Sequence, residues 1–385
     1  MTMKAIELFA GAGGMALGTG QAGFKHTRVL EWNGNACETI RRNNERKIID
    51  WPLQEGDVRE FDFKSLGSQD LVAGGPPCQP FSIGGKHRGH NDERNMFPEA
   101  IRAIRETRPK VVLIENVRGL LRPAFAKFFE YVILQVTYPE LTRKRDEEWI
   151  DHLSRLERFH TKGKQRGLFY QPVYRCLNAA DYGVPQRRYR VFIVAFRGDI
   201  SANWAFPEPT HSLDSLLHDQ WVTGDYWERH AVSKRSRPSI PASVVERVNR
   251  LRDWLFPLEA EPWNTVRDAI SDLPDPKRRN GFLNHTHNPG ARQYAGHTGS
   301  PLDEPAKTLK AGDHGVPGGE NMVLYPDGKI RYFTVRESAR LQTFPDSYFF
   351  AGSWTEAMRQ LGNAVPVKLA YVVSSSIASV LEKSA

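Results

Sequence analysis

The stretch from Lys4 to Gln21, KAIELFAGAGGMALGTGQ, decides the fold. KAIEL has the apolar composition of a buried strand. GAGG lets the backbone turn sharply, and MALGTGQ continues as a helix, Gly14–Gln21. Strand, glycine turn and helix in this order open a βαβ unit. The same alternation continues outward from it. Lys4–Leu8, Arg28–Glu31, Asp70–Ala73, Val111–Glu115 and Arg190–Phe196 are the expected strands, with a further strand that Asp57 ends. Gly14–Gln21, Asn35–Asn43, Met96–Arg105 and Ala124–Val136 are the expected helices. The pattern predicts an α/β fold with a doubly wound, mostly parallel sheet and helices on both faces.

From about Ser201 the alternation stops, and proline, glycine, histidine, tryptophan and basic residues rise. SKRSRPS (233–239) and DPKRRNG (275–281) are basic and turn-rich, which predicts a second, smaller, loop-rich domain. Regular pattern returns at Arg331. There Thr334 stands three residues before Glu337, the spacing of a capping box at the start of a helix. A last helix is expected over about Val367–Leu381. The mixed-charge segment from about Thr142 to Gln165 reads as a solvated helix on the rim of the first domain.

With 385 residues, 40% of them hydrophobic, the chain has material for two domains with real cores. Its formal net charge of +8 suits a polyanionic partner without requiring one. The start carries no signal-peptide pattern, and no run reaches the ~18 apolar residues of a membrane span, so a soluble, cytoplasmic protein is expected. Cys37, Cys78 and Cys176 are odd in number and far apart, which excludes a disulfide framework and a paired-cysteine zinc site. His285, His287, His297 and His314 lie in turn-rich sequence without helical pairing. They are expected to be solvated or to touch a polyanion, and no metal is expected.

Gly11, Gly13 and Gly14 form a turn that a ligand can approach closely. Glu31, twenty positions after Gly11, ends the next strand, where an acid can take two ribose hydroxyls. Asp57 can accept from an adenine amino group, and Phe9 and Trp32 can lie against an adenine face. Each has an ordinary alternative, as core aromatic or solvated strand end. Together they describe an adenosine pocket. Because Gly11-x-Gly13-x-x-Ala16 also fits the dinucleotide fingerprint, a nicotinamide enzyme stays open at this point.

Strand DLVAG runs into GPPCQPFS, with Cys78 stiffened by Pro76, Pro77 and Pro80 where α/β folds place ligands. The loop SIGGKHRGHNDERN after it is glycine-rich and basic, like a lid that touches phosphates. In VVLIENV, Glu115 follows four apolar residues. Desolvation there favours the neutral, proton-donating form. PQRRYR brings Gln186, Arg187, Arg188 and Arg190 just before a strand, and an extended entry would put Arg188 and Arg190 on one face.

ELFAGAGG, GPPCQPFS, ENV, QRRYR, RESARLQTFP and GNAV, in this order, resemble the motif set of the cytosine-5 DNA methyltransferases, especially those of bacterial restriction–modification systems. The resemblance covers roughly residues 1–199 and 331–385. Two departures are Glu7, where the family usually has Asp, and the length of the stretch between Glu115 and Gln186.

The resemblance implies an S-adenosylmethionine-dependent methyltransferase fold. Its catalytic and cofactor domain would be 1–199, its target-recognition domain 200–330, and 331–385 a return segment whose last helix rejoins the first domain. It implies methylation of carbon 5 of cytosine in a short duplex DNA sequence. Cys78 would be the nucleophile at C6, Glu115 the acid at N3, Arg190 the cation at O2, and Arg188 the holder of the loop. The implied S-adenosylmethionine pocket comprises Phe9, Ala10, Gly11, Gly13, Gly14, Glu31, Trp32, Asp57, Val58, Pro77, Asn363 and Val365. Pro77 would also help hold the cytosine amino group. DNA contacts are expected from Gln79 and Ser82 of the lid and from Arg235, Arg237, Arg278 and Arg279. Asn280, Asn284 and Asn288 are candidates for adenine edges. Double-stranded DNA is the implied partner, with a cognate restriction endonuclease sharing the site. A nucleoid-associated monomer is expected, with no membrane partner.

The alternatives are an RNA cytosine-5 methyltransferase of the same fold and a catalytically dead DNA-binding homologue. The RNA-acting branch usually carries a Cys-Phe-Thr signature absent from this sequence, and Cys78, Glu115 and Arg190 speak against a dead homologue. Neither GPPCQPFS nor QRRYR has a place in hydride transfer, which disfavours the nicotinamide enzyme.

Overall fold

A computed structural model of the chain describes residues 2–77, 95–163, 167–201, 203–294, 298–311 and 319–383. It divides into two compact units. The first comprises Met1–Leu177, Tyr189–Phe206 and Ala370–Ala385, and the second Asn178–Arg188 and Pro207–Leu369.

The first unit is built on seven strands: β1 Met3–Leu8, β2 Phe24–Glu31, β3 Leu53–Glu55, β4 Leu71–Gly74, β5 Val111–Val117, β6 Tyr170–Asn178 and β7 Tyr189–Arg197. They form one sheet in the order β3-β2-β1-β4-β5-β7-β6. The β3–β2, β2–β1, β1–β4 and β4–β5 pairs are parallel, and β5–β7 is antiparallel. The central strands are apolar on both faces because both faces are covered. In β5, Val112 and Ile114 join one core cluster while Val111 and Leu113 are buried as well.

The expected helices are present as α1 Gly14–Gln21, α2 Gly34–Glu45, α3 Phe97–Thr107 and α4 Ala126–Thr137. α5, Trp149–Thr161, corrects the expectation of a solvated rim helix. Its Leu153 and Leu156 are buried in the main core, and buried His152 links the Tyr131 hydroxyl of α4 (2.8 Å) to the carbonyl of Leu141 (2.7 Å). β6 was not expected, because Val173, Tyr174 and Arg175 leave this edge strand without an apolar run.

The chain order reverses between β1 and β4, and their carboxyl ends come close there. A Cβ on Gly74 would lie 2.8 Å from the carbonyl oxygen of Leu8. Such a switch point is where open α/β sheets hold ligands.

The second unit is loop-rich. It has a three-stranded sheet of Ser300–Pro301, Met322–Leu324 and Ile330–Tyr332, a two-stranded ribbon of His211–Ser212 with Glu261–Pro262, and short helices. One of its cores gathers Val266, Ile270, Leu309, Val323, Phe333 and Leu341, and another gathers Leu216, Tyr226, Trp227 and Trp263. The capping box of Thr334 and Glu337 opens the helix Val335–Leu341.

The expected boundaries at 199/200 and 330/331 do not coincide with the compact units. Asn178–Arg188 and 331–369 pack with the second unit, because their buried polar groups find partners there. Residues from Ala370 belong to the first unit, where the Trp204 indole donates to the Ser376 hydroxyl at 3.1 Å. The helical stretch Trp354–Lys383 is long and apolar enough to cross a membrane by length and composition alone. Yet 61% of its apolar window is buried inside the protein, as in a core helix.

Candidate active site

In the first unit, the expected site residues gather at the carboxyl ends of β1, β2, β4 and β5. β1 ends in a turn in which Phe9, Gly11 and Gly13 all have positive φ (56°, 54° and 82°). The turn is tied down by Ala10 N–H to the Leu30 carbonyl (3.1 Å) and Gly13 N–H to the Ala10 carbonyl (2.8 Å). A Cβ on Gly11 would meet nothing within 4 Å, so the space over this turn is open.

Glu31, at the end of β2, is buried and accepts from three main-chain amides: Gly11 N–H at 2.7 Å, Trp32 N–H at 3.0 Å and Asn33 N–H at 2.8 Å. It thereby locks the glycine turn to the start of α2, where Asn33 caps the helix by accepting from Ala36 N–H. Trp32 beside it is 75% exposed, so it is no core residue and presents an apolar face to whatever enters.

Asp57, beyond β3, pairs with the Arg59 guanidinium and accepts from Arg59 N–H at 2.9 Å. These bonds hold its carboxyl below the usual range. Val58 is buried, and its carbonyl accepts from Arg102 at 2.7 Å.

β4 delivers Gly74, Gly75, Pro76 and Pro77. Cys78, Gln79 and Ser82 lie outside the described residues. The Pro76 carbonyl accepts from the buried Asn116 side chain at 3.1 Å, and the Pro77 carbonyl from Met96 N–H at 3.4 Å. Asn116 is a positioning residue that the sequence reading quoted within ENV without giving it a task. Its signal was a polar side chain between Glu115 and Val117 at the end of an apolar strand.

A Cβ on Gly75 would lie 3.1 Å from a carboxylate oxygen of Glu115, so the start of the Cys78 loop runs against this acid. Glu115 is buried and pairs with Arg190 (2.7 Å), which stands at the start of β7 because β7 runs antiparallel to β5. The guanidinium supplies a counter-charge that the desolvation reading of Glu115 lacked. An adjacent cation favours the ionised carboxylate. Burial in turn pulls the Arg190 pKa down, despite Glu115. Of the described thiols, Cys37 is buried with its pKa pushed up to about 11, chiefly by desolvation, and half-buried Cys176 is also pushed up.

The remaining expected residues belong to the second unit. Arg188 is fully buried, and its guanidinium donates to the carbonyls of Leu309 (3.0 Å), Gly362 (2.6 Å) and Ala364 (2.9 Å). It holds main chain, as a loop-holding residue should, and here faces no open site. Between Arg188 and Arg190 the chain passes from the second compact unit to the first. Gln186 is equally buried, bonded to the carbonyl of Leu341 and the N–H of Leu309. Asn363 is exposed and Val365 buried. A Cβ on Gly362 would fall 2.3 Å from the Ala311 nitrogen, which fixes glycine at that point of GNAV.

Arg235, Arg278 and Arg279 are exposed, whereas Arg237 is partly buried with its Nε directed to the Val232 carbonyl at 3.4 Å. Asn280 and Asn284 are corrected as adenine readers. Asn280 donates to the carbonyls of Arg278 and His285, and Asn284 exchanges both amide bonds with Phe350. These side chains shape their loops. His285 is likewise not solvated: it is buried between the Thr334 hydroxyl (2.9 Å) and the Pro274 carbonyl (2.8 Å).

Comparison with known proteins agrees with the fold and the motif order. The family model of C-5 cytosine-specific DNA methylases matches residues 3–137 and 151–379. The chain is 32% identical over 390 residues to the type II methyltransferase M.NgoMIV of Neisseria gonorrhoeae, covering 100% of this chain and 99% of that protein. It is 32% identical to M.Eco47II of Escherichia coli, covering 98% and 79%. Among solved structures, the Dnmt2 methyltransferase of S. pombe shares the fold with a TM-score of 0.56 at 18% identity, covering 99% of both chains. The Entamoeba histolytica methyltransferase EhMeth does so with a TM-score of 0.54 at 14% identity, covering 100% and 99%. With a family match across nearly the whole sequence and relatives alike from end to end, the chain belongs to the C-5 cytosine-specific DNA methylase family.

Proposed function

We propose that this DNA cytosine-5 methyltransferase works through a covalent bond from Cys78 to C6 of a flipped-out cytosine, with S-adenosylmethionine as methyl donor. The observation that carries the reading is the Glu115–Arg190 pair, set against the backbone that leads into Cys78. Carbon 5 of cytosine is a weak nucleophile. A thiolate adding to C6 breaks the aromatic system and makes C5 an enamine carbon. Glu115 meets N3, where a proton shared between carboxylate and ring eases that addition. Arg190 meets O2 and takes up the negative charge that develops there. Asn116 holds the Pro76 carbonyl and so fixes the loop that presents the thiol. Burial raises the pKa of the described thiols, Cys37 and Cys176, which lowers their thiolate fraction and supports the assignment to Cys78.

The carboxyl ends of β1 and β2 fit the donor. The open space over Gly11, the exposed face of Trp32 and the carboxylate of Glu31 form a cradle for an adenosine, with Phe9, Ala10, Gly13, Gly14, Asp57, Val58 and Pro77 around it. Asn363 and Val365, assigned to the donor by resemblance to the family, lie in the second unit. Asp57 would have to exchange its bonds with Arg59 for an adenine amino group. The bound donor supplies a sulfonium methyl to C5. Loss of the C5 proton then expels Cys78. A stacked base cannot reach these groups, so the cytosine leaves the helix.

A short duplex site read by the second unit, and a restriction endonuclease sharing that site, complete the reading. The endonuclease is supported by the type II methyltransferases that the chain resembles, and the second unit as reader by its exposed basic residues Arg235, Arg278 and Arg279.

The test is adduct trapping. Wild-type protein, donor and a duplex carrying 5-fluorocytosine at the target should yield a denaturation-resistant protein–DNA adduct, because fluorine cannot leave as the proton does. Cys78→Ser should give none and should lose turnover, since a hydroxyl is a far weaker nucleophile at neutral pH. An adduct of undiminished yield with Cys78→Ser would remove Cys78 from this role.

A further inference from the structure

The rung of the sheet beyond the Glu115–Arg190 pair carries a second cation for which the chemistry above has no use. β5 and β7 pair up to Val117 and Arg190. Immediately beyond them, the Arg118 guanidinium lies over the Tyr189 ring, 5.1 Å from its centroid. Both side chains are exposed, Tyr189 at 41%. Among the described residues no carboxylate pairs with Arg118. Glu115 and Arg190 are paired with one another, and among the described residues Arg118 stands beside them as a cation without a carboxylate. A guanidinium lying on a ring is oriented in advance and keeps its N–H donors on the open side. That arrangement suits a planar, two-point bond to a phosphate.

We infer that Arg118, held by Tyr189, binds a backbone phosphate of the DNA strand that carries the target cytosine. The inference rests on the proposed reading of Glu115 and Arg190, because that reading brings the strand to this lip. A base turned out of the helix stays attached to its own phosphates, which must pass over the rim that its ring enters. Arg118 then acts in register and affinity. It touches DNA but none of the reacting atoms, and it has no part in choosing sequence.

The test compares wild type, Arg118→Ala, Arg118→Lys, Tyr189→Phe, Tyr189→Leu and the Arg118→Ala/Tyr189→Leu double variant. Lys25→Ala is the control, removing the same charge from the start of β2 at the other end of the strands. Target duplex and an unrelated duplex are titrated across a salt series, and steady-state methylation is measured alongside. Arg118→Ala should flatten the slope of log affinity against log salt by about 0.9 on both duplexes. Its KM for DNA should rise roughly threefold to tenfold, in line with one lost phosphate contact, while kcat at saturating DNA stays close to wild type. Arg118→Lys should keep the slope and lose part of the affinity. Tyr189→Phe should match wild type, and Tyr189→Leu should weaken DNA binding but add little once Arg118 is gone.

An active wild type whose Arg118→Ala variant keeps the full salt slope and KM overturns the phosphate contact alone. Equal losses in Arg118→Ala and Lys25→Ala also overturn it, as an effect of bulk charge. If Arg118→Ala fails to fold, a Tyr189→Leu protein with wild-type melting and wild-type DNA affinity overturns it instead. A wild type that binds DNA but places no methyl on cytosine removes the reading beneath it, and this contact with it.

Discussion

In the proposed chemistry Glu115 holds the proton at N3, and its surroundings pull two ways. Burial disfavours its charge, and Arg190 at 2.7 Å favours it. Replacing Glu115 by Gln keeps the shape and an acceptor for Arg190 but cannot hold a proton at N3. Turnover should fall by about 10²-fold or more, the lower range of general acid catalysis, with donor affinity little changed. Single-turnover rates measured with saturating DNA check this, and a wild-type rate would contradict the assignment. Glu115→Ala is a poorer probe. It leaves a buried guanidinium unpaired, a defect worth on the order of 3 kcal/mol, so lost activity would be confounded with lost stability. Sequence made Glu115 visible because a carboxylate after four apolar residues is unusual. Arg190 entered through the family motif. Asn116 was missed because its task, holding the Pro76 carbonyl, exists only once β4 and β5 are paired. Asn284 shows the opposite failure: a polar side chain that read as a base contact is committed to main-chain groups.

At the scale of elements, strands with continuous apolar runs and helices between clear turns were legible to within a few residues. β1, α1 and β5 emerged because local composition and tertiary burial agree. β6 did not, since most of its residues are exposed and resemble loop, and α5 was expected as a helix but without the docking of Leu153, Leu156 and His152. His152 makes α5 testable. It is buried between the Tyr131 hydroxyl and the Leu141 carbonyl, and burial lowers its pKa from the ordinary 6.5. A proton therefore binds His152 more readily in the undocked helix than in the docked one. Docking of α5 is at full strength above the ordinary value and weakens as pH falls from there through the lowered folded value. Amide exchange across Trp149–Thr161, corrected for intrinsic rates, should become faster relative to β5 between pH 7.5 and 5.5. The difference should vanish in His152→Gln, which has no imidazole at this position to take up a proton. Exchange that keeps a constant ratio to β5 over this range would show that His152 does not govern the docking.

For the whole molecule, a motif-bearing sheet unit and a loop-rich unit were foreseen, but their borders were not. The last helix was expected to rejoin the first unit, where Ala370–Ala385 stands, whereas Asn178–Arg188 carries a family motif yet packs with the second unit. Sequence alone cannot place such exchanges, because the partners of Gln186 and Arg188 lie more than a hundred residues away. We propose that sequence choice belongs to the second unit, where Arg235, Arg278 and Arg279 are exposed. Exchanging 201–330 for the matching block of a relative with another specificity should transfer the methylated sequence. A soluble, active chimera that kept the original pattern would place recognition elsewhere. The central claim, methylation of carbon 5 of cytosine in DNA, is tested most directly by bisulfite sequencing. The DNA should come from methylation-free cells expressing either the wild-type chain or Cys78→Ser. Wild type should protect one cytosine of a single short recurring sequence at nearly every copy, and Cys78→Ser should protect none. DNA from wild-type cells that converts completely, with the protein present and folded, would contradict the account.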